Sequence, residues 1–209
     1  MISKKYKFIY IHIPKTGGNS IQNALASYCD DLLIIRKSIG NVHYEDGTQG
    51  LDVINDELGF LTPADKHASI RDYYQKIGAE INSYFIFTSV RNPWDRVVSQ
   101  TAFLKEGGLE EGVLKKEELL FPENVLNYIS IDGKININAY IRFENLQEDF
   151  NEICDRIGIP HTLLPHKNKS RRTCYMKYYS EETMLLVKEK FKNEIDYFGY
   201  SFDSSVNVV

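Results

Sequence analysis

The stretch Phe8-Ile9-Tyr10-Ile11-His12-Ile13-Pro14-Lys15-Thr16-Gly17-Gly18-Asn19-Ser20 decides the fold. From Phe8 to Ile13 the residues are β-branched or aromatic and Pro14 ends the run, which predicts a buried strand with His12 packed inside it. Gly17-Gly18 follows, and Ser20 to Tyr28 carries Ile21, Ala24 and Leu25 on one helical face. The chain therefore opens strand, glycine loop, helix. Glycines let a backbone turn so tightly that several N–H groups can point at one anion. The helix start adds a partial positive charge. Lys15 supplies a full one, and Thr16, Asn19 and Ser20 supply short-range donors. Such a set suits a phosphate or sulfate. The plainer alternative is a tight turn with a capping serine and a solvent-facing lysine. A Walker A loop places Lys and Ser/Thr after its second glycine, whereas Lys15 precedes both glycines here.

The same pattern recurs further along. Tyr84 to Val90 reads as a strand broken by Asn92-Pro93, and Pro93 suits the first turn of a helix running to Lys105, stopped by Gly107-Gly108. Arg91 stands at the carboxyl end of that strand, and Ser99 lies too deep in the helix to be a cap. An arginine forked onto phosphate oxygens with a hydroxyl beside it makes a second anion cradle. Asp95 and Arg96 read instead as an ion pair holding the helix start, with Trp94 in the core. Elsewhere the pattern predicts a short strand Leu32 to Ile35, a loop Val42 to Leu61 and a helix Ser69 to Ile81. It continues with a helix Lys115 to Ser130 interrupted by Pro122, a strand Ala139 to Phe143, a helix Leu146 to Ile157 and a last helix opened by Ser180. Strands alternating with helices imply an α/β, P-loop-like three-layer fold with a central, mainly parallel sheet flanked by helices. We expect residues 1–209 to form one domain with the strand-end loops on one edge, where ligands bind in such sheets.

The net charge of −4 argues against a nucleic-acid partner, so any anion site is local. Cys29, Cys154 and Cys174 are scattered, with no CxxC, which supports neither a zinc site nor a disulfide framework. The apolar stretch ending at Ile13 is too short to span a bilayer, and we expect no stable membrane insertion. The expected setting is a reducing cytoplasm, at most peripheral to the inner face of a membrane. Nothing in the sequence reads out an oligomeric state.

Ile13-Pro14-Lys15-Thr16-Gly17-Gly18 followed by Val90-Arg91-Asn92-Pro93-Trp94-Asp95-Arg96 resembles the carbohydrate-type sulfotransferases that use 3′-phosphoadenosine 5′-phosphosulfate (PAPS), the heparan 2-O- and chondroitin-type enzymes and their bacterial relatives. The resemblance continues through Arg142-Phe143-Glu144-Asn145-Leu146, Leu164-Pro165-His166-Lys167-Asn168-Lys169-Ser170 and Phe198-Gly199-Tyr200. It implies that Lys15, Thr16, Gly17, Gly18, Asn19 and Ser20 grip the phosphosulfate end of PAPS, and that Arg91 and Ser99 hold the 3′-phosphate. Asn19 stands where the family more often has Thr. The basic loop 167–172, with Lys169 and Ser170, either closes over the nucleotide or is a solvated surface loop.

Sulfuryl transfer needs an activated hydroxyl, a donor held in line and charge relief on the departing phosphate, supplied by positioning and electrostatics as in phosphoryl transfer. Lys15 is the candidate for charge relief. No carboxylate cluster suggests a metal, and the resemblance implies none. Of five histidines, His67 is where related enzymes carry their base, so the resemblance assigns it that role. The alternative is an ordinary histidine near a helix. Arg71, one turn on, could face the acceptor. Glu144 is expected to brace the site edge, and it is the next candidate for base. The expected activity is PAPS-dependent transfer to a hydroxyl, of a saccharide or glycolipid by analogy. The competing readings are a nucleotide or small-molecule kinase of P-loop type and a non-catalytic module that binds PAP, the desulfated nucleotide.

Overall fold

Alternation along the strands sorts their side chains onto two apolar faces. The computed structural model describes residues 1–29, 67–105, 109, 114–120, 122–165 and 173–203. Strands β1 (Ile2–Ser3), β2 (Phe8–Ile11), β3 (Phe85–Val90) and β6 (Ala139–Arg142) form a four-stranded sheet in the order β1-β2-β3-β6. β2, β3 and β6 run parallel, with Phe8 opposite Phe85 and Phe87 opposite Ala139, while β1 pairs antiparallel to β2. A separate hairpin joins β4 (Ser130–Ile131) to β5 (Lys134–Ile135).

Helices cover both faces. Ile9, Ile11, Ile86 and Val90 pack with Ile70 and Tyr73 of α2 (Ile70–Ile77), Val125 and Ile129 of α4 (Val125–Ile129) and Phe198 of α7 (Lys192–Phe198). On the other face Phe8, Tyr10, Phe87 and Ile141 pack with Ile21 and Leu25 of α1 (Gly18–Leu25). Phe150, Ile153 and Cys154 of α5 (Leu146–Ile157) complete that face. Burial of each such large apolar side chain contributes roughly 1.5–3 kcal/mol. A third cluster joins α3 (Pro93–Leu104) to α6 (Glu181–Lys190) through Trp94, Val97, Val98, Val187 and Phe191. This is the expected α/β three-layer arrangement, and its parallel strands send the turns after β2, β3 and β6 to one edge.

Helix α5 begins and ends where the pattern placed it, with Gly158 in the left-handed conformation as its stop. Other elements differ from expectation for local reasons. The helix expected from Ser69 is α-helical only to Ile77 and tightens to a 3-10 segment over Gly78–Ser83. Lys115 to Ser130 resolves into a 3-10 turn, Lys116–Leu120, and the short α4, which Asn124 caps by accepting from the Leu126 N–H. Pro122 separates them. The last helix breaks at Phe191 into α6 and α7. The expected strand Leu32 to Ile35, the loop Val42 to Leu61, the Gly107-Gly108 stop and the basic loop 167–172 lie outside the described residues.

Arg96 does not pair with Asp95. Its Nη2 donates to both carboxylate oxygens of Glu194 on α7, at 3.1 and 3.0 Å, and both side chains are fully buried. Arg96 Nη1 donates to the Glu123 carbonyl and Glu194 Oε2 accepts the Val125 N–H, so the pair ties α3, α4 and α7 together. Removing one partner of a buried pair strands the other charge. Glu194→Gln is therefore expected to cost about 3–5 kcal/mol of unfolding free energy, measured by urea denaturation. A cost under about 1 kcal/mol would show that the pair adds little.

Candidate active site

The turn after β2 is built from unusual backbone. Lys15 has φ 66° and Gly17 φ 84°, both left-handed, so the chain doubles back before α1 begins at Gly18. A left-handed non-glycine residue is disfavoured by roughly 1–2 kcal/mol, and such strain tends to collect at functional sites. The two glycines are required for different reasons. At Gly17 a Cβ would meet Phe143 Cδ2 at 3.0 Å in addition to the positive φ. Gly18 has ordinary helical geometry, but a Cβ there would lie 2.1 Å from Cδ2 and 2.2 Å from Nε2 of His12.

A buried chain of hydroxyls fastens this turn to the sheet. Thr16 Oγ1 donates to the Ile13 carbonyl at 2.8 Å. Its single hydrogen is then spent, so Ser89 donates to Thr16 at 2.7 Å, and Tyr10 in turn donates to Ser89 at 2.7 Å. Burial drives the Tyr10 phenol far above its ordinary pKa, offset in part by the Ser89 contact, which keeps it a neutral donor. Ser20 Oγ donates to the Pro165 carbonyl at 2.7 Å. The hydroxyls of Thr16 and Ser20, expected as anion donors, thus serve the loop's own carbonyl partners. Loop N–H groups, Lys15 and Asn19 remain the candidates for that task. Lys15 Nζ lies 4.2 Å from the centroid of the exposed Phe103 ring, at the end of α3.

The turn after β3 meets the first loop directly. Arg91 is buried, donates from Nε to Asp95 Oδ2 at 2.6 Å and from Nη1 to the Lys15 carbonyl at 3.2 Å, and lies 3.7 Å over the Phe143 ring. Arg91, not Arg96, is therefore the arginine that Asp95 holds at this helix start. Ser99 is half-buried on α3, one turn before Phe103 and on the same helical face. Glu144, just beyond β6, accepts the Asn92 N–H at 2.7 Å and the Tyr200 hydroxyl at 3.1 Å. That is the bracing role expected for it.

Burial raises the Glu144 carboxyl above the ordinary range, against the opposing pull of the Asn92 N–H, the Tyr200 hydroxyl and nearby Arg91. With a raised folded value, the folded state keeps a proton that the unfolded state releases. Its contribution to stability therefore declines as pH rises from the ordinary glutamate value to the raised one. Glu144→Gln should flatten that part of the pH–stability curve. It should also keep turnover within about threefold, far from the hundredfold or greater loss expected of a missing base. A hundredfold loss in steady-state assays would instead make Glu144 the base.

His67 is exposed, and its Nδ1 is 2.9 Å from the His12 carbonyl. A carbonyl only accepts, so Nδ1 carries the hydrogen and Nε2 is the basic nitrogen. The two imidazoles meet edge to face with centroids 4.7 Å apart. His12 in turn abuts Gly18, which brings His67 to the glycine loop through one intervening ring. Arg71 Nη2 instead lies 3.6 Å from Asp132 Oδ1 at the hairpin tip, both exposed. His161 pairs with Asp155 on α5. Lys169 and Ser170 lie outside the described residues. The sequence reading expected His12 to be packed, as it is, but missed its contacts with Gly18 and His67, and it missed Phe103, Phe143 and the Tyr10–Ser89 chain. Only His12 carried a usable signal, because strand alternation puts it on the α1 side with Phe8 and Tyr10.

Among the described residues no group of His, Cys, Asp and Glu is placed to hold a metal ion, and no helix is long and apolar enough to cross a membrane. The cysteines are free thiols, and burial pushes Cys154 up to about 11. Residues 1–102, which hold both strand-end loops and His67, match the model of the Sulfotransferase family. This part of the chain is similar to the sulfotransferase family. No curated protein and no solved structure matches the chain. The match supports sulfuryl transfer in general, from a sulfate donor to an acceptor. The match ends within α3, so β6, Glu144 and α5 lie outside it.

Proposed function

We infer that this sulfotransferase uses PAPS as donor and a saccharide hydroxyl as acceptor, with residues 1–209 acting as one catalytic domain. The observation that carries this reading is the tautomer of His67, whose Nδ1–H is committed to the His12 carbonyl beside the phosphate loop. Its Nε2 is thereby the acceptor for the hydroxyl proton. As that proton leaves, the acceptor oxygen forms a bond to sulfur. The bond from sulfur to the bridging phosphate oxygen breaks, and PAP departs carrying the electron pair. Lys15 and the loop N–H groups relieve the charge developing on that phosphate. The residues present suit such a donor: the glycine turn admits an anion close to backbone, and Arg91 and Ser99 offer a second anion site at the next strand end. A carbohydrate acceptor and a cytoplasmic setting rest on the resemblance of the motifs alone.

Transfer of labelled sulfate from PAPS onto a panel of saccharides and glycolipids tests the reading. Labelled product without added metal is the expected result. Labelled product with ATP as donor, and none with PAPS, would replace it with a kinase.

A further inference from the structure

His12 touches both halves of the proposed machinery and belongs to neither. It stands just past β2 and is 4% exposed. The Cδ2–Nε2 edge of its ring fills the space a side chain at position 18 would need. Its ring meets the His67 ring edge to face at 4.7 Å, and its carbonyl takes the His67 Nδ1–H at 2.9 Å. On its other side it stacks on Tyr10, with centroids 6.1 Å apart, and Tyr10 begins the hydroxyl chain that ends at Thr16 of the same loop.

The geometry points to His12 as a positioning residue that sets the spacing between the phosphate loop and the base. This rests on the reading of His67 as base. The ring is the reason position 18 is glycine: the Gly18 backbone is not left-handed, and the three nearest atoms a Cβ would meet all belong to the imidazole. The same ring buttresses one side of His67, while the carbonyl of the same residue selects its tautomer. One buried side chain thus couples anion binding to base placement, although it need touch neither PAPS nor the acceptor.

A double-mutant cycle over His12→Ala and Gly18→Ala separates the two couplings. PAP dissociation constants come from calorimetry and turnover from sulfate transfer. Gly18→Ala alone should weaken PAP binding by at least about tenfold, because the new methyl displaces the loop or the ring. Adding His12→Ala opens the space, and affinity should return to within about threefold of wild type. Turnover should not return: His12→Ala, alone or in the pair, should lose about tenfold or more in kcat because His67 has lost its buttress. Additive affinity losses in the double variant overturn the inference, and so does normal turnover in His12→Ala. Thermal melts check folding, and His12→Asn, which keeps a smaller polar side chain, carries the same measurements if the alanine variant does not fold. His67→Ala run alongside keeps the two levels apart. If it turns over normally, the base reading has failed and the turnover half of the inference falls with it. The affinity cycle still reads the His12–Gly18 contact by itself.

Discussion

Replacing His67 with alanine is expected to lower kcat by about two to four orders of magnitude, the usual contribution of a positioned general base. PAP affinity should change by less than about threefold, since an uncharged base acts on the acceptor and not on the nucleotide. Folding should be unaffected because His67 is exposed, and its loss leaves the His12 carbonyl accessible to water. The pH profile adds a second reading. A protonated imidazole has no acceptor nitrogen, so wild-type turnover declines toward acid. The variant, with nothing to protonate at that place, should lack this limb. A variant that keeps the acid limb and near-normal turnover would move the base elsewhere, and Glu144 is the next group to examine. Its two carboxylate oxygens already accept from Asn92 and Tyr200, which speaks against it.

Lys15→Met should also be severe, with a different signature. Methionine keeps the length of the side chain and its contact with the Phe103 ring, and it removes only the charge. The ammonium is most valuable when the bridging oxygen takes up the electron pair, so the loss should fall mainly on kcat. About a hundredfold to a thousandfold is expected, comparable with removal of one oxyanion donor. A smaller weakening of PAP binding should accompany it, from the lost ground-state contact. If instead affinity drops and kcat holds, Lys15 binds donor and transition state equally and takes no part in charge relief. Backbone strain does not cloud the comparison, because lysine and methionine meet the same penalty at φ 66°.

How much of this was legible in the chain depended on distance along it. The first strand, glycine turn and helix were readable because each leaves a local mark: β-branched alternation, a proline stop, a glycine pair. Helix α5 was readable to the residue because its stop, Gly158, is a left-handed cap. Strands β1, β4 and β5 were missed because two residues cannot display an alternation. The hairpin did carry one signal, Asp132-Gly133, both in the left-handed region that such tight turns require. Partners far apart in sequence left no mark at all. Nothing near Arg96 announces Glu194, and nothing near Ser20 announces the Pro165 carbonyl. The residue types of the two strand-end loops were therefore visible, whereas which hydroxyls fasten them needed the folded chain. Thr16 fell on the fastening side because its hydroxyl finds the Ile13 carbonyl three residues back.

Both strand-end turns meet through Arg91 and the Lys15 carbonyl, so a nucleotide with phosphate at its 3′ and 5′ positions should engage them together. Calorimetric titration of PAP in a chelating buffer, beside adenosine 5′-phosphate, reads this most directly. The expected result is single-site PAP binding without metal, and binding weaker by at least about tenfold when the 3′-phosphate is missing. Equal affinities for the two nucleotides, or no PAP binding at all, would contradict it.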